Sequence, residues 1–219
     1  MSGRLRDLSL ENIDTIIFDF GGVLFDIDYD LPVKAFRNFG VPGFDELYKQ
    51  TNQSDLFDLL ETGKISQQEF LNELRRILTT DLSDEKLLEA WNVILLDIPK
   101  ERIDHIYKLK EQFQTLLLSN TNAIHVEVFE KRIEEKMGLD YFYGAFEKVY
   151  YSNRIGIRKP HPETFLEICK WHGLNPERTL FIDDSKQHVE GAKQAGLQAY
   201  HLEVDKEDIR ELGSSVFKA

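Results

Sequence analysis

The 219-residue sequence contains one cysteine, Cys169, so it can form no intramolecular disulfide, and a reducing compartment is expected. It has no apolar run near the ~20 residues that a membrane-spanning helix needs, which excludes transport across a bilayer through helices and a membrane partner of that kind. Its first thirty residues lack the apolar core of a secretory signal, and the expected location is cytoplasmic. Basic residues are in short supply. The 27 Lys and Arg face 39 Asp and Glu, a formal charge of −12 that repels polyanions and argues against nucleic acid or an anionic membrane as partner. Small anions stay compatible through a local cation or a metal. Also absent are a Walker phosphate loop, a dinucleotide fingerprint, HExxH and GxSxG. Cys169 and His172 have no second pair to complete a zinc site, so a packed helix face is expected there. The six histidines are scattered; His125, His161 and His188 fall near strand-end loops and read as solvent-facing bystanders.

What is present is an ordinary globular balance, 42% hydrophobic and 30% charged, enough for a buried core. Five short apolar runs read as strands: Thr15 to Phe20, Gln114 to Asn120, Lys148 to Ser152, Arg178 to Asp184 and Gln198 to Glu203. Helical patterns lie between them, at Arg102 to Glu111, Ile124 to Met137, Pro162 to Trp171 and Lys186 to Ala195, with start signals at Pro162 and Asn175. Alternating strands and helices predict an α/β fold with a parallel, Rossmann-like sheet of right-handed crossovers, its ligands beyond the carboxyl ends of the strands.

One interval breaks that rhythm. A hundred residues separate Asp19 from Ser119, where a βαβ unit needs roughly 30. The excess reads as helical. Ser66 and Glu69 form a capping box ahead of Phe70, Leu71, Leu74, Ile77 and Leu78, and Ser83 opens a second stripe of Leu87, Leu88, Trp91, Ile94 and Leu95. Shorter amphipathic pieces run from Pro32 to Phe39 and from Asp55 to Leu60. The expected organisation is an α/β core over residues 1–28 and 101–219 and a small helical cap over 29–100, positioned above the strand ends.

The strand ends carry the polar residues. Asp19 ends the first strand and suits a nucleophile or metal ligand, and equally an ordinary turn Asp. Ser119 and Asn120 end the second and suit a phosphate oxygen, or plain turn chemistry. Lys159 sits in a loop stiffened by Pro160 and Pro162, where a fixed ammonium could meet an anion; surface lysines are common too. Asp183 and Asp184 are adjacent carboxylates that repel one another unless a cation intervenes, so with Asp19 they form an oxygen-rich set of the kind magnesium prefers. Alternatively, Asp184 or Ser185 caps the next helix.

Their order carries more than any one of them. IIFDFGGVL, LLLSNT, KPHPETF and FIDDS, with the helical insertion, resemble the four motifs and cap of the haloacid dehalogenase superfamily from about Thr15 to Glu203. The resemblance implies Asp19 as nucleophile, Ser119 and Lys159 as phosphoryl-binding groups, and magnesium held by Asp19, the Gly21 carbonyl and Asp184, with Asp183 acting through water. It implies a phosphatase of small phosphorylated metabolites, with an aspartyl-phosphate intermediate. In one respect the chain departs from that pattern: phosphatases of the family carry a general acid two residues after the nucleophile, and here that position is Gly21. Asp26 and Asp28 are the nearby candidates to replace it. The same glycine variant occurs in a bacterial subgroup that includes glucose 1-phosphate phosphatases, whose leaving group depends less on an acid. A 2-haloacid dehalogenase and a non-catalytic phosphometabolite-binding protein are the alternatives, the first disfavoured by Asp183 and Asp184. Composition carries no signal for an oligomeric state.

Overall fold

The computed structural model describes residues 4–49 and 55–213. All five expected strands form, each trimmed at one or both ends: β1 (Thr15–Phe18), β2 (Gln114–Ser119), β3 (Lys148–Tyr151), β4 (Thr179–Asp183) and β5 (Gln198–His201). They pair in parallel in the order β3-β2-β1-β4-β5. Ile17 faces Leu116 on one side and Phe181 on the other. Side chains alternate across a strand, so one face receives Ile16, Phe18, Leu117 and Ile182 and the other Ile17, Leu116, Leu118 and Phe181. Helices cover both faces, and for that reason these strands read as unbroken apolar runs. On the first face lie α6 (Lys100–Lys110) and α7 (Ala123–Met137), through Ile106, Phe129 and Ile133; on the second lie α10 (Pro162–His172) and α11 (Lys186–Gln194), through Phe165, Ile168 and Ala192. Each such fully buried side chain contributes roughly 1.5–3 kcal/mol. Cys169 packs in the second of these cores, while His172 pairs with the Tyr150 hydroxyl at 2.7 Å.

Among its described residues the insertion between β1 and β2 forms five helices, α1 (Asp30–Asn38), α2 (Phe44–Lys49), α3 (Asp55–Glu61), α4 (Gln67–Leu78) and α5 (Asp84–Asn92), with an apolar core of their own. The capping box holds: Ser66 Oγ accepts from Glu69 N–H at 3.2 Å, and Glu69 Oε2 accepts from Ser66 N–H at 2.8 Å. Phe36 stacks on Phe44 at 3.9 Å, and Trp91 packs across Phe57 and Phe70. Three short helices escaped the sequence pattern, α2, α8 (Leu139–Gly144) and α9 (Ser152–Ile155), because six residues or fewer cannot display a helical period. Asn175 opens only a 3-10 turn at Pro176–Arg178.

The stripe expected to continue from Trp91 to Leu95 is corrected by the structure. Helix α5 stops at Asn92, and Ile94 and Leu95 turn into the core beneath the sheet face. The reason is the return of the chain alongside its own exit. Asp26 N–H donates to Asp97 O at 2.7 Å, Leu96 N–H to Asp26 O at 3.0 Å and Asp28 N–H to Ile94 O at 3.0 Å, so the two linkers form a short antiparallel ribbon. Among the described residues no helix is long and apolar enough to cross a membrane.

Candidate active site

At β1 the sheet changes direction: β2 and β3 build to one side, β4 and β5 to the other. The crevice above that point collects the ends of β1, β2 and β4. Asp19 follows β1 and is held by its backbone, whose N–H donates to Ile182 O at 2.9 Å. Beneath it lies Lys159, entirely closed to solvent. Its ammonium hydrogen-bonds Asp19 Oδ1 and, at 2.6 Å, Asp183 Oδ2, and lies over the Phe181 ring, 5.1 Å from its centroid. Asn120 locks the lysine backbone in both directions: its Oδ1 accepts from Lys159 N–H at 3.0 Å and its Nδ2 donates to Lys159 O at 2.9 Å. The Asn120 side chain is therefore committed to the Lys159 backbone, which leaves its own backbone N–H as the group expected to meet a phosphate oxygen.

Asp183 is fully buried and saturated by Lys159, by Ser185 N–H at 2.7 Å and by His188 Nδ1 at 3.0 Å. Burial works to raise its carboxyl, but Lys159 and His188 outweigh that and hold it below the usual range. Asp184 behaves in the opposite way, raised by burial and then by the charges of Asp19 and Asp183, with Lys159 only partly opposing. Asp19 is raised by burial and Asp183 in spite of its own lysine contact. Neither Asp184 nor Ser185 caps α11, since Ser185 makes no side-chain cap bond and the Ser185 N–H goes to Asp183.

Carboxylate oxygens of Asp19, Asp183 and Asp184 converge within 4.8 Å. Two buried acids and a partly buried third around one ammonium leave negative charge uncompensated, and an all-oxygen donor set of that kind fits a hard divalent cation such as magnesium. Gly21 lies beside the set with ordinary backbone angles, while Gly22 has φ of +82° and sits against Asp184, whose carboxyl carbon would be 2.6 Å from any Cβ placed there. Only glycine meets both conditions. The Gly-Gly pair marks a turn in the sequence, but nothing local records that Gly22 packs on Asp184.

Above these groups is a cavity of about 630 Å³ that includes Asp19, Gly21, Ser119, Asp184 and residues of the insertion. Ser119 is almost fully buried, at its floor. Three sequence expectations are corrected here. Asp26 pairs with Arg102 Nη1 at 2.6 Å on another side of the loop, and Asp28 accepts from Asp30 N–H at 2.8 Å, so neither lines the cavity. His125 is buried, stacked on Trp91 at 5.1 Å and hydrogen-bonded to Asn122, because α7 begins directly under the insertion. His188 is a partner of Asp183; His161 alone of the three is exposed.

Core and insertion meet at the cavity through contacts that no local sequence pattern announces. Arg158, next to Lys159, meets Asp58 and places Nη2 3.0 Å from Glu61 Oε2. Gly63, at φ +67°, presses on the backbone of Asn153. Tyr29, Tyr48 and Trp91 line the same cavity.

A family model for haloacid dehalogenase-like hydrolases matches residues 13–196. The chain is 33% identical over 194 residues to D-ribitol-5-phosphate phosphatase of Bacteroides thetaiotaomicron, covering 87% of this chain and 92% of that one. It is 25% identical over 202 residues to a phosphoglycolate phosphatase of Vibrio vulnificus, covering 89% and 86%. A crystal structure of a HAD family enzyme from Bacteroides thetaiotaomicron, in complex with magnesium and inorganic phosphate, superposes with a TM-score of 0.79 at 31% identity, over 94% of this chain and 100% of that one. L-2-haloacid dehalogenase from Xanthobacter autotrophicus shares the fold at 16% identity, with a TM-score of 0.59 over 87% of this chain and 77% of that one. The chain belongs to the haloacid dehalogenase-like hydrolases.

Proposed function

We propose that the protein is a magnesium-dependent phosphomonoesterase of small phosphorylated metabolites, sugar or polyol phosphates, acting through a phosphoryl group carried on Asp19. The observation that carries this reading is the buried constellation of Asp19, Lys159, Asp183 and Asp184 at the end of β1. Asp19 attacks phosphorus and forms an acyl phosphate, and water then attacks phosphorus and frees the carboxylate. Lys159 spends two of its three donors on Asp19 and Asp183; the third is the one for a phosphoryl oxygen, and the Ser119 hydroxyl at the cavity floor is a further donor. Asp19, Asp184 and the Gly21 carbonyl, with Asp183 behind them through water, would hold magnesium, which when bound would supply positive charge against an incoming dianion. Residues 29–100 act as the cap that closes this chamber, with Arg158 meeting Asp58 and lying 3.0 Å from Glu61 Oε2 across the seam.

The relative named D-ribitol-5-phosphate phosphatase supports a polyol or sugar phosphate esterified at a primary alcohol. That favours such esters over the anomeric 1-phosphates that Gly21 suggested. A dehalogenase would have no use for Asp184, whose carboxylate has burial and two like charges against it. The test is phosphate release from a panel of sugar and polyol phosphates with magnesium present and after its removal. Turnover that requires magnesium supports the reading; chloride release from 2-chloropropionate without metal overturns it.

A further inference from the structure

An alkyl phosphate leaves as an alkoxide unless a proton reaches its bridging oxygen as the P–O bond breaks. Position 21 has no side chain to give one, and Asp26 and Asp28 point away from the cavity. The acids that do line the cavity are few. Asp19 and Asp184 belong to the carboxylate set under it, and Asp58, whose side chain is half exposed, keeps its charge in water beside Arg158. Glu61, at the last residue of α3, is left. Its Oε2 is sealed from solvent and, although 3.0 Å from Arg158 Nη2, has no partner in hydrogen-bonding geometry.

On the phosphatase reading above, we propose that Glu61 is the general acid, delivered by the cap, that protonates the leaving alcohol. The carboxylic acid gives its proton to the bridging oxygen while Asp19 forms its bond to phosphorus, and the alcohol departs neutral. The resulting Glu61 carboxylate takes a proton from the water that attacks the acyl phosphate. Phosphate leaves, Asp19 returns as carboxylate and Glu61 as acid, so each cycle consumes one water. Burial raises the Glu61 carboxyl to about 7, opposed in part by the Lys159 charge, so the group holds a proton near neutrality. The charged and titratable groups facing it are Arg158 and Lys159 from the loop before α10, Asp58 one turn earlier on α3, and Tyr48 on α2. A cap-borne acid couples chemistry to closure, because the proton is in reach only when α3 lies on the core.

The experiment compares wild type, Glu61→Gln and Glu61→Gln with Gly21→Asp on ribitol 5-phosphate, glucose 6-phosphate and 4-nitrophenyl phosphate, with magnesium. A Cβ at Gly21 meets Ile27 alone, its Cδ1 at 3.0 Å, so a small shift of that flexible tip admits the substitution. In Glu61→Gln the ratio of aryl to alkyl phosphate kcat/KM is expected to rise by about 100-fold or more. The alkaline limb of the alkyl pH profile is expected to vanish, and Gly21→Asp to recover part of the lost alkyl rate. An unchanged ratio overturns the role of Glu61, whether the overall rate holds or falls, and so does the same pattern in His161→Asn in place of Glu61→Gln. A wild type inert on all three esters overturns the phosphatase reading itself, a distinct result.

Discussion

Lys159 Nζ donates to Asp183 Oδ2 at 2.6 Å, and neither side chain is open to solvent. The pair ties the loop before α10 to the end of β4 underneath the candidate nucleophile. Lys159→Met keeps the stem and removes the charge, leaving Asp183 and Asp19 facing each other unneutralised. Breaking a buried pair from one side costs ~3–5 kcal/mol, so thermal unfolding in metal-free buffer should fall by many degrees. Magnesium should return more stability to the variant than to wild type. An unchanged melting temperature without metal contradicts this electrostatic role.

Gly22 and Gly21 differ in what they permit. Gly22→Ala imposes a Cβ at φ +82° and pushes the Asp184 carboxylate aside, whereas Gly21→Ala has ordinary backbone angles and displaces only the tip of Ile27. Titration calorimetry with magnesium should show affinity falling by about tenfold or more for Gly22→Ala and by far less for Gly21→Ala. Equal losses in both variants would remove Asp184 from the metal site.

His125 gives stability a pH dependence. Burial beneath Trp91 lowers its imidazolium from the ordinary 6.5 to about 4. The unfolded chain therefore binds a proton more readily than the folded one in that window, and stability is full above about 6.5 and drains away as pH falls toward about 4. The whole effect is on the order of 3 kcal/mol. His125→Phe keeps the ring stack, and its urea midpoint should fall less than that of wild type between about pH 7 and about pH 5. Parallel declines would mean that other groups set the acid limb.

The sheet and its strand ends were legible because their signals are local. TIIFDF and RTLFID are apolar runs that stop abruptly at acids, and Ser66 with Glu69 announces a helix within four residues. The groups across the cavity were not legible. Glu61 is brought to Lys159 only by the docking of one core on another, and no local period records that contact. Asp26 and Asp28 looked near to Asp19 along the chain, yet the turn at Gly21 and Gly22 leads them into the linker ribbon and away from the cavity. Likewise the stripe from Leu87 to Leu95 kept its spacing past Asn92 but served two cores in succession. Spacing shows which residues are buried and not which core receives them.

The account rests on Asp19 as a nucleophile that works with a divalent cation, and one measurement addresses both parts: inorganic phosphate released from ribitol 5-phosphate by wild type and Asp19→Asn, each stripped with EDTA and then resupplied with magnesium. The amide preserves the shape of the carboxylate and removes its charge and nucleophilicity, so a folded variant, verified by its thermal transition, isolates the chemistry. Wild type should be inactive after chelation and restored by magnesium, and Asp19→Asn should lose at least about a thousandfold in either state. Substantial release by the folded variant, or release by wild type that chelation does not touch, would contradict the account.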